Sequence, residues 1–125
     1  MTMIFKLPQL VLLAALAGNA AAPPEAWLKA RDAQDRAALD AIAAEAKKAA
    51  DAKTGSADAQ YRAALAQSMR SEVAMELRDK RAAGSAAEEG IALARRAVAI
   101  NGKSAEYHRI LGTLCGQIIP ANVLM

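Results

Sequence analysis

An all-α chain is expected, made of antiparallel helical hairpins stacked as a short α-solenoid. Alanine makes up about a quarter of the 125 residues, and such enrichment is itself a helix signal. Tyr61, Leu65, Met69, Val73 and Leu77 form an apolar stripe at four-residue spacing, with Arg62, Arg70, Glu72, Glu76, Arg78 and Asp79 largely off it. The segments Ala59-Gln60-Tyr61-Arg62-Ala63-Ala64-Leu65-Ala66 and Ala105-Glu106-Tyr107-His108-Arg109-Ile110-Leu111-Gly112 hold the only two tyrosines at one place, 46 residues apart, each followed by a leucine four residues on. A helix repeated at fixed spacing is the signature of a stacked array, in which each unit buries its apolar face only against its neighbours.

The first residues read as a leader. Met1 to Lys6 carry the amino terminus and one lysine, Leu7 to Ala17 are mostly apolar, and Gly18-Asn19-Ala20 places small residues at the −3 and −1 positions of a cleavage site. This is the three-part pattern of a secretory signal peptide over residues 1–20, cut after Ala20. Cleavage after Ala22 would leave Pro23 behind the scissile bond. The competing reading is a retained anchor. The apolar run is about half the roughly 20 residues that a spanning helix needs, and Pro8 and Gln9 interrupt it. No cysteine follows the run, so a lipid anchor is not supported.

Residues 21–24 are expected to be a disordered lead-in, because Pro23 and Pro24 sit where helices start. A helical domain fills 25–125. Its first region, Glu25 to Lys53, reads as one helix or two, since Asp32-Ala33-Gln34-Asp35 offers an N-cap in the middle. Leu39, Ile42, Ala46 and Ala49 mark its apolar face, and Thr54-Gly55-Ser56 ends it. The next helix is expected over Asp58 to Arg81, capped by Asp58 and unusually long. Gly84 then breaks the chain, and Ser85-Ala86-Ala87-Glu88 spells a capping box. The helix behind it carries Ile91, Ala94 and Val98, with Leu93, Ala97 and Ile100 beside them, and stops at the left-handed-prone pair Asn101-Gly102. Ser104 caps a last helix whose face is Tyr107, Leu111, Leu114, Cys115 and Ile118. The uncharged ending Asn122-Val123-Leu124-Met125 is unusual for a soluble terminus, so the chain reads as a fragment of a longer array.

Charge excludes little and suggests less. The net charge is +3 and falls to +2 once Lys6 leaves with the leader. No basic stripe with interleaved aromatics points to nucleic acid. A single cysteine, Cys115, forbids an internal disulfide. The core must hold by packing of Ala with a few Leu, Ile, Val and Met, and small side chains bury little area each. Modest stability is expected.

Helix, tight turn, helix, Asn-Gly loop, helix is the grammar of tetratricopeptide repeats, and Ala86 to Gly112 resembles them. Ile91, Ala97 and Val98 look like apolar positions of the family's second helix. Leu111-Gly112 looks like its Leu-Gly pair, and Leu65-Ala66 falls in that slot earlier. Ala46-Lys47-Lys48-Ala49 parallels Ala94-Arg95-Arg96-Ala97, so Asp35 to Lys53 reads as the second helix of an earlier repeat. Three features depart from the pattern. Gly102 stands where the family has proline. His108 and Arg62 stand where it has an aromatic. The spacing exceeds the family's roughly 34 residues, which the overlong helix over Asp58 to Arg81 explains. About half the chain carries the resemblance.

Catalytic chemistry finds no footing in the sequence. His108 and Cys115, seven residues apart on a helix, lie about 10 Å apart along it, whereas a nucleophile and its base need contact near 3 Å. Cys115 falls in the slot of Met69 and reads as a core residue. His108 falls in the slot of Arg62, at a helix edge. A lone histidine makes no metal site, and no cofactor motif is present. Glu88 and Glu89 read as first-turn residues favoured by the helix dipole. Trp27 reads as a packing anchor for the first helix.

The expected role is therefore non-catalytic: an exported protein, periplasmic or secreted, that binds a protein or peptide as a scaffold or adaptor. Neither nucleic acid nor stable membrane insertion after leader cleavage is expected, and neither metal nor cofactor. The resemblance implies that partners bind the inner face of the first helices. Carried over, that face holds Gln60, Ala63, Gln67 and Arg70, then Glu106, Arg109 and Thr113. Two alternatives remain: a structural bundle of the envelope that self-associates through its Ala-rich faces, or the accessory N-terminal part of a longer enzyme.

Overall fold

The computed structural model describes residues 22–122. The leader expected over 1–20 and the apolar ending at 123–125 lie outside them. The described chain is all-α, with five helices in the order α1 (Glu25–Asp32), α2 (Arg36–Ala52), α3 (Ala57–Glu76), α4 (Lys80–Ile100) and α5 (Ala105–Asn122).

Two kinds of turn alternate, and each occurs twice. In the first kind, a non-glycine residue takes a left-handed conformation: Gln34 (φ 53°) after α1 and Arg78 (φ 62°) after α3. The next residue donates its N–H five residues back, Asp35 to the Ala30 carbonyl at 2.9 Å and Asp79 to that of Ala74 at 2.8 Å. This closes the orphan carbonyls of the ending helix. The same aspartate then caps the following helix, its carboxylate accepting from Ala38 N at 3.0 Å or Ala82 N at 3.1 Å. In the second kind, the helix ends at a residue that leaves the helical conformation with negative φ, Lys53 or Asn101. The next cap is a serine hydroxyl: Ser56 accepts from Ala59 N, and Ser104 from Tyr107 N.

These turns correct several expectations. The helix placed over Asp58 to Arg81 ends at Glu76, because Asp79 is a better cap than its neighbours and draws Arg78 into the left-handed turn. Ser56, not Asp58, caps α3. Leu77 lies beyond the helix and is exposed instead of closing the stripe. Gly84 and the Ser85-to-Glu88 box fall inside α4. Gly84 serves packing there: an added Cβ would stand 3.4 Å from that of Ala121 on α5. Asn101-Gly102 does end α4, but without a left-handed residue. Of the two readings open for Glu25 to Lys53, the chain takes the two-helix one, with the break at 33–35, and Glu25 opens the first helix.

The helices run alternately up and down. Gln60 on α3 reaches Ala50 on α2, while Arg70 reaches Asp40, so α2 and α3 are antiparallel. Ser71 donates to the Ala83 carbonyl and Gln67 to Glu89, so α3 and α4 are too. Gly90 meets Leu114 and Gly84 meets Ala121, so α4 and α5 follow suit. The odd-numbered helices consequently run parallel: α3 touches α1 on one side and α5 on the other, while α2 and α4 do not touch. The centre is α3, with 12 of its 20 residues buried, which is why its composition lacks a strong polar face. On α2 the buried positions are Leu39, Ala43 and Ala50, and Ala49 is exposed, a rotation of the expected face. On α4 Leu93, Ala94 and Ala97 are buried, with Ile91 and Val98 half-buried and Ile100 exposed. On α5 Tyr107, Ile110 and Leu114 are buried; Leu111, Cys115 and Ile118 are half-buried.

The tyrosine repeat takes a different meaning in three dimensions. Counted from the capping serines, Tyr61 is the fifth residue and Tyr107 the third, so they do not occupy equivalent positions. They pack on each other, ring centroids 5.1 Å apart, across the α3–α5 contact. The units align instead by their turns: α1–turn–α2 on α3–turn–α4 by 44 residues, and α2–loop–α3 on α4–loop–α5 by 48. The long spacing comes from helices of 20 and 21 residues on either side of a turn, not from one overlong helix.

Candidate protein-interaction face

Because α1, α3 and α5 lie side by side and parallel, they share one face that α2 and α4 do not cover. A groove of about 170 Å³ runs between them. Leu65, Met69 and Ile110, all buried, make its floor. Its polar edge comes from Arg31 on α1, Ser68 and Glu72 on α3, and Arg109, Thr113 and Gln117 on α5.

On this face Arg31 sits in loose surface pairs, and Arg109 in a bidentate pair with Glu106 of its own helix. Arg31 leans toward Glu72 at 3.8 Å while bonding Asp32 at 3.0 Å, and keeps about a third of its side chain exposed. Surface pairs of this kind are worth little to stability and leave the guanidinium available. Arg109 is anchored by Glu106 at 2.6 Å within its own helix. Glu106 also accepts the Tyr61 hydroxyl at 2.7 Å. The Arg109 hydrogen bond, helped by that hydroxyl, holds the Glu106 carboxyl below its ordinary range against the opposing effect of burial. Burial, then the neighbouring Glu106, pushes the Tyr61 phenol well above its ordinary value. Gln117 donates to Ser68, both to its carbonyl at 3.2 Å and to its hydroxyl at 3.3 Å. The Gln117 Oε1 is buried with no hydrogen-bond partner, a cost in a closed core.

The residues expected to form this face divide. Glu106, Arg109 and Thr113 on α5 are at it or beside it. On α3, Gln60, Ala63 and Gln67 are buried at 1–2 % exposure. Gln60 donates to the Ala50 and Lys53 carbonyls, closing the end of α2. Gln67 bridges Arg70 and Glu89. Arg70 points to the α2 side, bonded to Asp40 at 2.9 Å. The tyrosine alignment carried the α5 face onto the wrong side of α3. Alignment from Ser56 and Ser104 would have carried Thr113 onto Leu65 and Gln117 onto Met69, which do line the groove. Ser68, Glu72 and Gln117 were missed for that reason, whereas Arg31 lies on α1, which the tyrosine alignment does not reach.

The other candidates take structural places. His108 Nε2 lies 2.7 Å from the Gly102 carbonyl and ties α5 to the loop before it. Glu88 and Glu89 are mid-helix, so the dipole account of them fails; Glu89 serves Gln67. Trp27 is half-buried against the core, with the Arg62 guanidinium 5.0 Å over its ring. Among the described residues, no group of three His, Cys, Asp or Glu is placed to hold a metal, and no helix is long and apolar enough to cross a membrane. The sequence matches no protein-family model, and no similar curated protein or solved structure was found.

Proposed function

We propose that this protein is an exported, non-catalytic scaffold of tetratricopeptide-like build, which binds an extended segment of another protein along the face shared by α1, α3 and α5. One observation carries the reading: the parallel odd-numbered helices leave a continuous groove with an apolar floor and two guanidiniums on its edge. An extended peptide offers what that groove lacks, apolar side chains for its floor and a carboxylate for Arg31 or Arg109. The duplicated turns favour a repeat architecture of this type, in which neighbouring units share one binding surface. Export rests on the leader pattern in residues 1–20.

The test is site-specific photocrosslinking in the source cells, with a benzophenone residue at Thr113 or, as control, at the exposed Lys48 on α2. A protein adduct at Thr113, absent at Lys48 and lost with Arg31→Glu plus Arg109→Glu, is expected. Equal adducts at both positions, or an adduct indifferent to the two arginines, would overturn the reading. Amino-terminal sequencing of the same material checks the export proposal, with Ala21 expected first.

A further inference from the structure

A second groove, larger than the first at about 620 Å³, opens at the other side of α1. Trp27 stands at one end and Ser56 with Asp58 at the other; Ile42, Ala46 and Ala49 of α2 lie between. Its origin is the length of α1. That helix has 8 residues where α3 has 20 and α5 has 18. Aligned by their turns, α1 matches only the last two turns of α3, since Asp32 pairs with Glu76 and Glu25 with Met69. Pro23 and Pro24 stop α1 from continuing toward the amino terminus. No described residue covers the part of α2 and α3 that a full-length α1 would have covered.

The second repeat shows what belongs there. The 48-residue alignment sets Ile42, Ala46 and Ala49 against Gly90, Ala94 and Ala97, and Asp58 against Glu106. Ala94 and Ala97 have no exposed surface. The antiparallel register of α3 on α4, set by Ser71 to Ala83 and Gln67 to Glu89, carries the first turns of α3 alongside them, and the Tyr61 hydroxyl there bonds Glu106. The open groove is thus the counterpart of an interface already built once in the molecule, and it is continuous with the seat of α1. We propose that it receives an alanine-rich amphipathic helix from another polypeptide, lying parallel to α3, with small residues against Ala46 and Ala49 and a hydrogen-bond donor facing Asp58. A second copy of this chain is a poor source, because its α3, the helix that fills the equivalent place in the second repeat, is buried in its own core. The site is separate from the α1–α3–α5 face and does not depend on it.

Trp27 is the only tryptophan, so its emission reports on the groove. The probe is a capped synthetic peptide with the sequence of Ala57 to Met69, titrated into the full chain. A saturable shift of emission to shorter wavelength is expected, half-complete below about 1 mM, since a helix this short is only marginally formed when free. Ala46→Arg should abolish the shift, and so should Ala49→Arg, which changes an exposed position and should leave the fold intact by circular dichroism. Thr113→Arg, on the other face, should leave it unchanged. No shift up to the solubility limit, a shift that survives both arginine variants, or Trp27 emission that already depends on protein concentration without peptide would each overturn the proposal. The last result would assign the groove to a second copy.

Discussion

Ala46 and Ala94 each stand six residues before the end of their helix, on α2 and α4, between turns of the same design. Ala94 has no exposed surface, whereas Ala46 lines an open groove. The same residue at the same place in two repeats has opposite surroundings, because only the second repeat has a full-length helix on its far side. Local sequence sets the helix and its turns; the length of the neighbouring helix sets what is core and what is surface. The comparison also separates two kinds of small residue. Alanines on α4 are small because α3 presses on them, and alanines on the outer face of α2 have no such reason within the chain.

The sharpest way to break this comparison is one substitution at both places. Ala94→Leu should destabilise by about 3 kcal/mol through overpacking, while Ala46→Leu should stay within about 0.5 kcal/mol of the parent, both read from urea unfolding. Equal costs would mean that the first repeat is as closed in solution as the second. Gly90→Ile places in α4 the residue that its counterpart Ile42 provides. An added Cβ there would stand 2.5 Å from Leu114 Cδ2 and 3.1 Å from Gln67 Cβ. A loss of about 2–3 kcal/mol is expected, against about 1 kcal/mol for Ile42→Ala at its half-exposed site; thermal unfolding of the pair decides.

Smaller effects sharpen the contact between repeats. Tyr61→Phe removes the hydroxyl that Glu106 accepts and should cost about 1 kcal/mol at neutral pH. The folded Glu106 carboxyl titrates below the ordinary 4.5, mainly because of Arg109. Its contribution is therefore complete above that value and is lost as the pH falls below it. Tyr61 titrates above the ordinary 10.0, so its contribution is complete below pH 10 and is lost above it. Tyr61→Phe should accordingly flatten the alkaline limb of a stability-against-pH curve and leave most of the acid limb, where Arg109 remains. An unchanged alkaline limb would place the sensitivity on Tyr107, whose phenol burial also raises. The smallest effect is a gain. Gly112 is exposed on α5 and an added Cβ would meet nothing within 4 Å, so Gly112→Ala should stabilise by about 0.5 kcal/mol. A loss instead, accompanied by a smaller sedimentation coefficient, would show that this side of α5 is covered in solution and would favour the self-associating bundle.

Some of the molecule was legible and some was not, for identifiable reasons. The break at Asp35, the serine cap at 104 and the loop at 54–56 follow from side chains that bond their own backbone neighbours, a local matter. The turn at Arg78 was missed because its left-handed residue is an arginine, where glycine or asparagine is the usual signal. Gly84 read as a breaker, although tertiary contact with α5 makes it a packing residue. On the candidate face, the three α5 residues were legible and the α3 residues were not. Two tyrosines that touch were taken for two tyrosines that correspond, and a shift of two residues turns a helix by more than half a revolution.

By itself the sequence determined that this chain is helical, that α1 begins at Glu25, where α2 and α4 end, and that Ser104 caps α5. Those outcomes depend on propensity, apolar period and side-chain bonds spanning three or four residues. Tertiary structure alone decided which face of α3 is buried, that Tyr61 and Tyr107 pair, and that one repeat is covered while the other lies open. Those outcomes depend on which helix stands next to which, and in a chain so rich in alanine nearly every helical face is small and apolar enough to pack, so only the neighbours present select one.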